Sequence, residues 1–306
     1  MIGRNNRRPI SAFALVFVFL VITTPGLTAS KNDRLAVAVV NYPLKYFTER
    51  IGGNLVRVIF PIPRGIDPAF WTPEPEGVLA FQSANLILLN GATYSKWLDK
   101  VTLYRSKLVN TSRAFKEQYI KVRVFTTHTH GPGGEHAHAG MAFTTWIDFQ
   151  LAVGQAEAIR DALMRLVPEE KERFEANFSA LKDDLMALDR RVGEIVEGKQ
   201  NQLLVASHPV YDYFARRYGL NVQSVLWEPD EYPSAQLWAE LATILKHHPA
   251  KWMIWEGKPN PAAVDKLKLM GVSSLVFDPA GNVPDEGDFL SIMRQNAENL
   301  RAVFSK

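Results

Sequence analysis

Histidine is the residue type whose placement in this chain most invites chemistry. The 306 residues hold seven, and four of these, His128, His130, His136 and His138, fall in the run HTHGPGGEHAHAG at 128–140. A uniform scatter would put about a quarter of one histidine in so short a span. In an extended segment each His-x-His pair turns both rings to one side. Imidazole suits zinc, copper and nickel, and Glu135 adds a carboxylate. The glycines at 131, 133, 134 and 140 let the run fold around an ion or deliver one; the plainer reading is a solvated loop without a role. His208 follows the strand-like run Leu203 to Ala206, and Asp278 follows Ser274 to Phe277. Ligands of parallel α/β sheets bind at such carboxyl ends. Each also has a structural reading, His208 as a hydrogen-bonded residue opening a helix and Asp278 as a turn former. His247 and His248 end a helical pattern before Pro249, where imidazolium complements the helix dipole.

Composition narrows the chemistry. With no cysteine, the chain has no disulfide, thiolate nucleophile, iron–sulfur cluster or thiolate-bound zinc, so a metal is held by nitrogen and oxygen. Such donors accept Zn²⁺, Mn²⁺, Ni²⁺ and Cu²⁺. No nucleophile–His–acid set or phosphate loop stands out, and Gly131, Gly133 and Gly134 do not give the dinucleotide spacing. One enzymatic reading exists: Val122 to Phe125 followed by His128-Thr129-His130 resembles a strand delivering a metallohydrolase pair. The Asp-His continuation of such sites is absent, and a long helix interrupts the alternation that a barrel needs. The chain is therefore expected not to be an enzyme.

Around these residues, strand-like and amphipathic runs alternate, which predicts α/β layers with mainly parallel sheets. The first series has strands at Leu35 to Val40, Val56 to Ile59, Leu86 to Leu89 and Leu108 to Val109, with helices near Leu44 to Ile51, Pro75 to Ser83 and Tyr94 to Lys100. The second has strands at Leu203 to Ala206, Val222 to Val225, Trp252 to Trp255 and Ser274 to Phe277. Its helices are expected near Val210 to Arg217, Ser234 to Leu245, Pro261 to Met270 and Phe289 to Phe304. Between the series, apolar residues at Phe174, Phe178, Leu181, Leu185, Leu188 and Val192 recur at threes and fours after Pro168. That spacing predicts one helix about 40–45 Å long, a rod able to tie two lobes together. The expected division is 30–166 for a first lobe carrying the His-rich loop, 167–198 for the linking helix and 199–306 for a second lobe.

Residues 1–29 read as a secretory signal, with Arg4, Arg7 and Arg8, an apolar run from Ala12 to Ile22, and Leu27-Thr28-Ala29 before cleavage. Eleven apolar residues span about half of a ~30 Å hydrocarbon core, so no membrane anchor is expected after cleavage. Losing three arginines and no acid takes the formal charge from +3 to zero, leaving no electrostatic case for nucleic acid. A soluble, exported, monomeric protein is expected. Without cysteine, it has no residue for a lipid anchor.

The ordered motifs resemble the periplasmic substrate-binding proteins of zinc and manganese ABC importers over about residues 34–303. Pro63-Arg64-Gly65-Ile66-Asp67-Pro68 with Pro73-Glu74-Pro75 looks like the family's Pro-x-Gly-x-Asp-Pro-His-x-Tyr-Glu-Pro-Thr-Pro loop. Ala84 to Gly91 is similar to the strand and Asn-Gly turn that follow, and Trp146-Ile147-Asp148 to the end of a His-x-Trp-Leu-Asp motif. Ser207-His208-Pro209 with Tyr213-Phe214 and Tyr218-Gly219-Leu220 resembles the next motif, and Glu256 and Asp278-Pro279 the closing ones. The resemblance implies two lobes joined by a rigid backbone helix, a metal cleft between them, and an ABC permease as partner. A His-rich loop in this position is characteristic of the zinc-specific branch.

The resemblance also implies four ligands, one from each motif, and here the sequence departs from it. His208 and Asp278 match the third and fourth, but the first falls on Ala69 and the second on Thr144. A methyl does not ligate, a neutral hydroxyl is a poor ligand, and two ligands do not make a tight zinc site. Three readings follow: His136 or His138 folds back to join His208 and Asp278; the loop makes its own histidine site while the cleft holds something else; or the cleft is dead. Trp71, Trp146, Trp227 and Trp255 belong to cleft-forming segments under the resemblance, either as lobe packing or as an aromatic wall for a ligand or metal chelate. The leading expectation is capture of a divalent transition metal, zinc first, for an ABC importer. A periplasmic metal buffer or chaperone, or a degenerate member that binds a chelate, is the alternative.

Overall fold

The computed structural model describes Met1 and residues 34–122, 127–129, 135–137 and 140–304. The predicted signal segment therefore lies outside the described residues. Residues from Arg34 onward form one compact unit. Its elements are β1 (Leu35–Val39), α1 (Tyr42–Gly52), β2 (Val56–Ile59), α2 (Pro75–Ser83), β3 (Leu86–Leu89), β4 (Leu108–Asn110), β5 (Lys121–Val122), β6 (Thr127–Thr129), β7 (Glu135–Ala137) and β8 (Gly140–Met141). They continue with α3 (Phe149–Leu166), α4 (Lys171–Val196), β9 (Leu203–Ala206), α5 (Asp212–Tyr218), β10 (Asn221–Ser224), α6 (Ala235–His247), β11 (Trp252–Trp255), α7 (Pro261–Leu269), β12 (Ser273–Val276) and α8 (Phe289–Phe304).

Two four-stranded, wholly parallel sheets result, one per lobe, in the orders β2-β1-β3-β4 and β10-β9-β11-β12. The eight strands fall within a residue or so of the predicted runs; the inner ones, such as β1, β3, β9 and β11, read as continuous apolar segments because helices cover both faces, whereas the edge strand β10 is Asn-Val-Gln-Ser and largely exposed. Two open sheets also replace the closed barrel that the hydrolase reading would use. Tyr94 to Lys100 differs from expectation: it holds only a short 3-10 turn, Lys96–Lys100. The helix α3 is additional. Its buried face is Phe149, Leu151, Ala152, Ala156, Ile159, Ala162 and Leu163, and Asp148 caps it by accepting from the amides of Gln150 and Leu151.

Between the sheets runs α4, preceded by a 3-10 turn at Pro168–Glu170. Its 26 residues span about 39 Å. The stripe Phe174, Phe178, Leu181, Leu185, Leu188, Val192 and Val196 is buried, and α4 packs against α1, α3 and α8. Polar contacts fix its register. Asp184 pairs with Arg50 of α1 at 2.7 Å, while buried Asp189 accepts from Arg217 Nε at 2.8 Å and the Tyr218 hydroxyl at 3.0 Å. Phe289 of α8 packs edge-on against Phe47 of α1, with centroids 5.3 Å apart. No described helix is long and apolar enough to cross a membrane.

Candidate metal centre

All four parallel strands of the second lobe end in a residue that can ligate a cation. His208 follows β9, Glu228 follows β10, Glu256 follows β11 and Asp278 follows β12. The order β10-β9-β11-β12 puts the chain reversal between β9 and β11, the place where open α/β sheets bind ligands. There His208 Nδ1 lies 2.9 Å from Glu256 Oε1, and its Nε2 lies 3.6 Å from Glu228 Oε1. Among the described residues these three form the one group of His and carboxylate donors close enough to share an ion, with ligand atoms within 4.8 Å of one another.

Backbone geometry holds the group. The ladder runs past the strand ends, with the Ser207 amide donating to Ile254 O and the Trp227 amide to Ser207 O, at 2.8 and 2.9 Å. His208 therefore sits in the strand-to-helix turn, and α5 opens four residues later at Asp212, not at His208 as its structural reading expects. Tyr211 closes the turn by donating its hydroxyl to Phe277 O at 2.8 Å, beside Asp278. Asp278 does form a turn, accepting from the Ala280 amide at 2.7 Å, and it also lines the cleft cavity. Turn former and ligand are compatible roles for a carboxylate with two oxygens.

Electrostatics tie these groups together. His208 is 2% exposed. Burial opposes its charge, but the Glu256 carboxylate, by charge and hydrogen bond, and Glu228 beyond it override burial and carry the imidazole pKa up to about 9. Asp278 is pushed up by burial, against the lowering effect of the Ala280 amide, and Glu256 adds to the rise. Two acids beside the imidazole, with Asp278 on the adjoining cavity wall, make a cation-attracting pocket. His208 and Glu256 are thus paired before an ion arrives, and ligation requires the imidazole to give up a proton.

Glu228, Glu256 and Asp278, though not His208 behind them, line a cavity of about 260 Å³ that has a second wall from the first lobe, including Asp67, Tyr94, Phe143, Thr144 and Trp146. Ala69 is buried in the apolar core, and the Thr144 hydroxyl donates to Val210 O, so neither serves an ion. Trp146, Trp227 and Trp255 are buried in lobe packing. Trp146 alone of the four tryptophans also lines the cavity, and it donates Nε1 to Pro279 O at 2.7 Å across the cleft. Trp71 packs on Trp97 and Phe81 in the first lobe. His248 caps α6 with its backbone amide, but its buried ring turns away to Leu204 O at 2.8 Å.

In the His-rich run, β6 pairs antiparallel with β7, and His128 stands opposite His136 in register. His130 and His138 lie outside the described residues. Of the sequence candidates, then, His208 and Asp278 come to the cleft. Glu228 is a member that sequence reasoning passes over, and Glu256 enters it only through the resemblance. The available signal was the carboxyl-end rule: applied to every strand of the second series, rather than to two, it reaches both glutamates.

The family model for the zinc-uptake complex component A, periplasmic, ZnuA, matches residues 37–303. The zinc-binding lipoprotein AdcA of Streptococcus pneumoniae is 27% identical over 300 residues, covering 94% of this chain and 59% of that protein. The chain thus spans about three-fifths of that relative. The high-affinity zinc uptake system protein ZnuA of Bacillus subtilis is 26% identical over 312 residues, covering 94% of this chain and 95% of that protein. The fold matches the Zn(II)-bound ZnuA-like domain of S. pneumoniae AdcA with a TM-score of 0.74 at 23% identity, over 89% of this chain and 100% of that one. A crystal structure of ZnuA matches at 0.70 and 25%, over 89% and 100%. With the family match running from the first strand through both sheets to the last helix, this chain belongs to the ZnuA family of periplasmic zinc-uptake components.

Proposed function

We propose that this protein is an exported solute-binding protein that captures zinc in its cleft and passes it to an ABC permease, without catalysing a reaction. The observation that carries this reading is the His208–Glu228–Glu256 group at the reversal point of the second sheet. In it, His208, Glu228 and Glu256 offer the ion one nitrogen and two carboxylates, and Asp278, which lines the same cavity, is the further donor nearest to hand. One nitrogen with carboxylate oxygens is an acceptable zinc set. Being oxygen-rich, it also accepts Mn²⁺, and it leaves Ni²⁺ and Cu²⁺ less well served than a set of imidazoles would. His128, His130, His136 and His138 supply further imidazoles on a run that ends just before Thr144, suited to gathering ions ahead of the cleft.

The proposed organisation is a signal at 1–29, lobes at 30–166 and 199–306, a linking helix at 167–198, and a periplasmic monomer after export. The pneumococcal relative is described as a lipoprotein; the 306 residues here include no cysteine to carry a lipid. Isothermal titration of the mature chain with Zn²⁺ at pH 7.5 tests the reading. Micromolar or tighter binding that His208→Ala abolishes is expected, with the four-histidine loop variant retaining the cleft isotherm. Binding weaker than micromolar overturns it.

A further inference from the structure

The cleft cavity meets solvent at one segment of chain. Among its lining residues only Gly65, Ile66 and Asp67 are exposed; the others are buried or partly buried. Residues that face solvent and the cavity at once form its rim, so the way in for an ion runs past 65–67.

That rim is a short strap with a local structure of its own. The Ile66 amide donates to Pro63 O at 3.4 Å and closes a four-residue turn, with Gly65 in the left-handed region at φ +73°, where glycine sits without strain. Asp67 anchors the C-terminal end. Its carbonyl accepts from the Phe70 and Trp71 amides, both at 3.1 Å, and its Oδ1 from the Ala69 amide at 2.8 Å. Across the mouth, Asn282 of the second lobe donates Nδ2 to Pro63 O and Ile66 O at 2.7 and 2.8 Å, one N–H for each carbonyl. The Val283 amide donates to Asn282 Oδ1 at 2.6 Å, which turns the side-chain nitrogen toward the strap. Arg64 adds a bond from Nη1 to Pro284 O at 2.9 Å and lies 3.5 Å from Asp285. Both ends of that ion pair are largely exposed, so it contributes little. One amide side chain therefore grips both ends of the turn and joins it to the other lobe.

The strap holds the mouth but does not hold the ion. It carries no imidazole, and its one acid, Asp67, stands outside the His208–Glu228–Glu256 group. A ligand shifts an equilibrium only by its differential affinity for the two states. An ion seated on the second lobe thus leaves the opening of the strap as it found it.

We propose, resting on the zinc-capture reading, that residues 63–67 are a strap over the mouth of the cleft, pinned by Asn282. Its release sets how fast the ion enters and leaves without altering how tightly it is held. Because the turn is closed by its own backbone, it swings as a unit when Asn282 lets go, with the Asp67 end as its anchor.

Stopped-flow mixing at pH 7.5 with a fluorescent zinc indicator tests this, reading uptake by the mature chain and release from the loaded chain into excess indicator. Asn282→Ala should raise both rate constants about tenfold, the effect of losing one or two net hydrogen bonds from the closed state. The dissociation constant from isothermal titration should stay within twofold of the parent. Asn282→Asp keeps the size of the side chain and the acceptor for the Val283 amide, but faces a carboxylate to two carbonyls. Its added charge alone would slow the release of a cation, so release about tenfold faster reports the strap. Uptake and release within twofold of the parent in both variants overturns the gate and leaves zinc capture standing. Faster release with unchanged uptake, and affinity weakened to match in Asn282→Ala, also overturns it, because the strap would then be part of the seat. A parent chain that gives no zinc isotherm overturns zinc capture and the gate with it.

Discussion

Before an ion arrives, His208 is held between two carboxylates that keep it protonated. With its pKa near 9, zinc must displace a proton from the imidazole at pH 7.5, so affinity rises with pH and levels off above about 9. Titrations in buffers of different ionisation enthalpy should report about one proton released per zinc at pH 7.5. Glu256→Gln keeps an acceptor on Nδ1 but removes the charge, so the imidazole pKa falls and the released fraction drops well below one. The same linkage acts on folding. A pKa raised above its unfolded value gives stability that is fully present below about 6.5 and is lost as pH rises through 9. The apo melting temperature should fall across that window in the parent and less so in Glu256→Gln. Glu228→Ala separates ligand from bystander: loss of a ligating carboxylate should weaken zinc binding tenfold or more by isothermal titration, and an unchanged isotherm would make Glu228 a spectator. Nothing local marks this glutamate in Trp227-Glu228-Pro229-Asp230-Glu231. Its meaning comes from strand order, which sets β10 beside β9, and strand order is not written in the strands themselves.

The two sheets share one strand order and put different chemistry at the same point. Where the second lobe has His208 against Glu256, the first lobe has Asn41 after β1 against Asn90 after β3, with Asn41 Nδ2 donating to Asn90 Oδ1 at 3.1 Å. Gln155 of α3 donates to the same oxygen at 3.1 Å and to Thr111 at 3.1 Å, and Asn90 donates to Phe143 O at 2.9 Å. All of these side chains are buried. Neutral amides satisfied on every side make a lock where charged groups make a binding site. Asn90→Ala should therefore cost about 2–3 kcal/mol in urea denaturation, because it strands the Asn41 and Gln155 amides and the Phe143 carbonyl. A loss under about 0.5 kcal/mol would show that water replaces the amide without penalty. The inner strands were legible because parallel strands buried on both faces spell apolar runs; the exposed edge strand β10 carries one apolar residue in four. The helix α3 was not, because alanines at 152, 156 and 162 carry much of its buried stripe and register weakly beside the Phe/Leu stripe of α4. The amide lock was illegible too: Asn41, Asn90 and Gln155 are unremarkable in sequence and acquire a role only when α3 lies across the sheet.

At the scale of the molecule, the lobes are bound to each other as well as to α4. Besides Trp146 on Pro279, the Tyr42 amide donates to Gly281 O at 2.9 Å, and Asn282 Nδ2 reaches Pro63 O and Ile66 O at 2.7 and 2.8 Å. Every histidine or carboxylate donor assigned to the cleft ion nonetheless belongs to one sheet, so ion capture should depend on that sheet's strand ends rather than on closure of one lobe onto the other. Asp189 gives a way to ask. Asp189→Ala leaves Arg217 and Tyr218 without the carboxylate that ties α5 to α4. Since Arg217 is partly exposed, the expected loss is about 2 kcal/mol, less than the 3–5 typical of a fully buried pair. Zinc at a hundred times its dissociation constant should add about 2.7 kcal/mol to parent and variant alike, read as equal upward shifts in melting temperature from two different baselines. Equal shifts are what a one-sheet site requires. A shift that shrinks by half or more in Asp189→Ala would mean that the seat of the ion depends on how α4 holds the lobes, and would bring the first-lobe wall into the coordination of the metal itself.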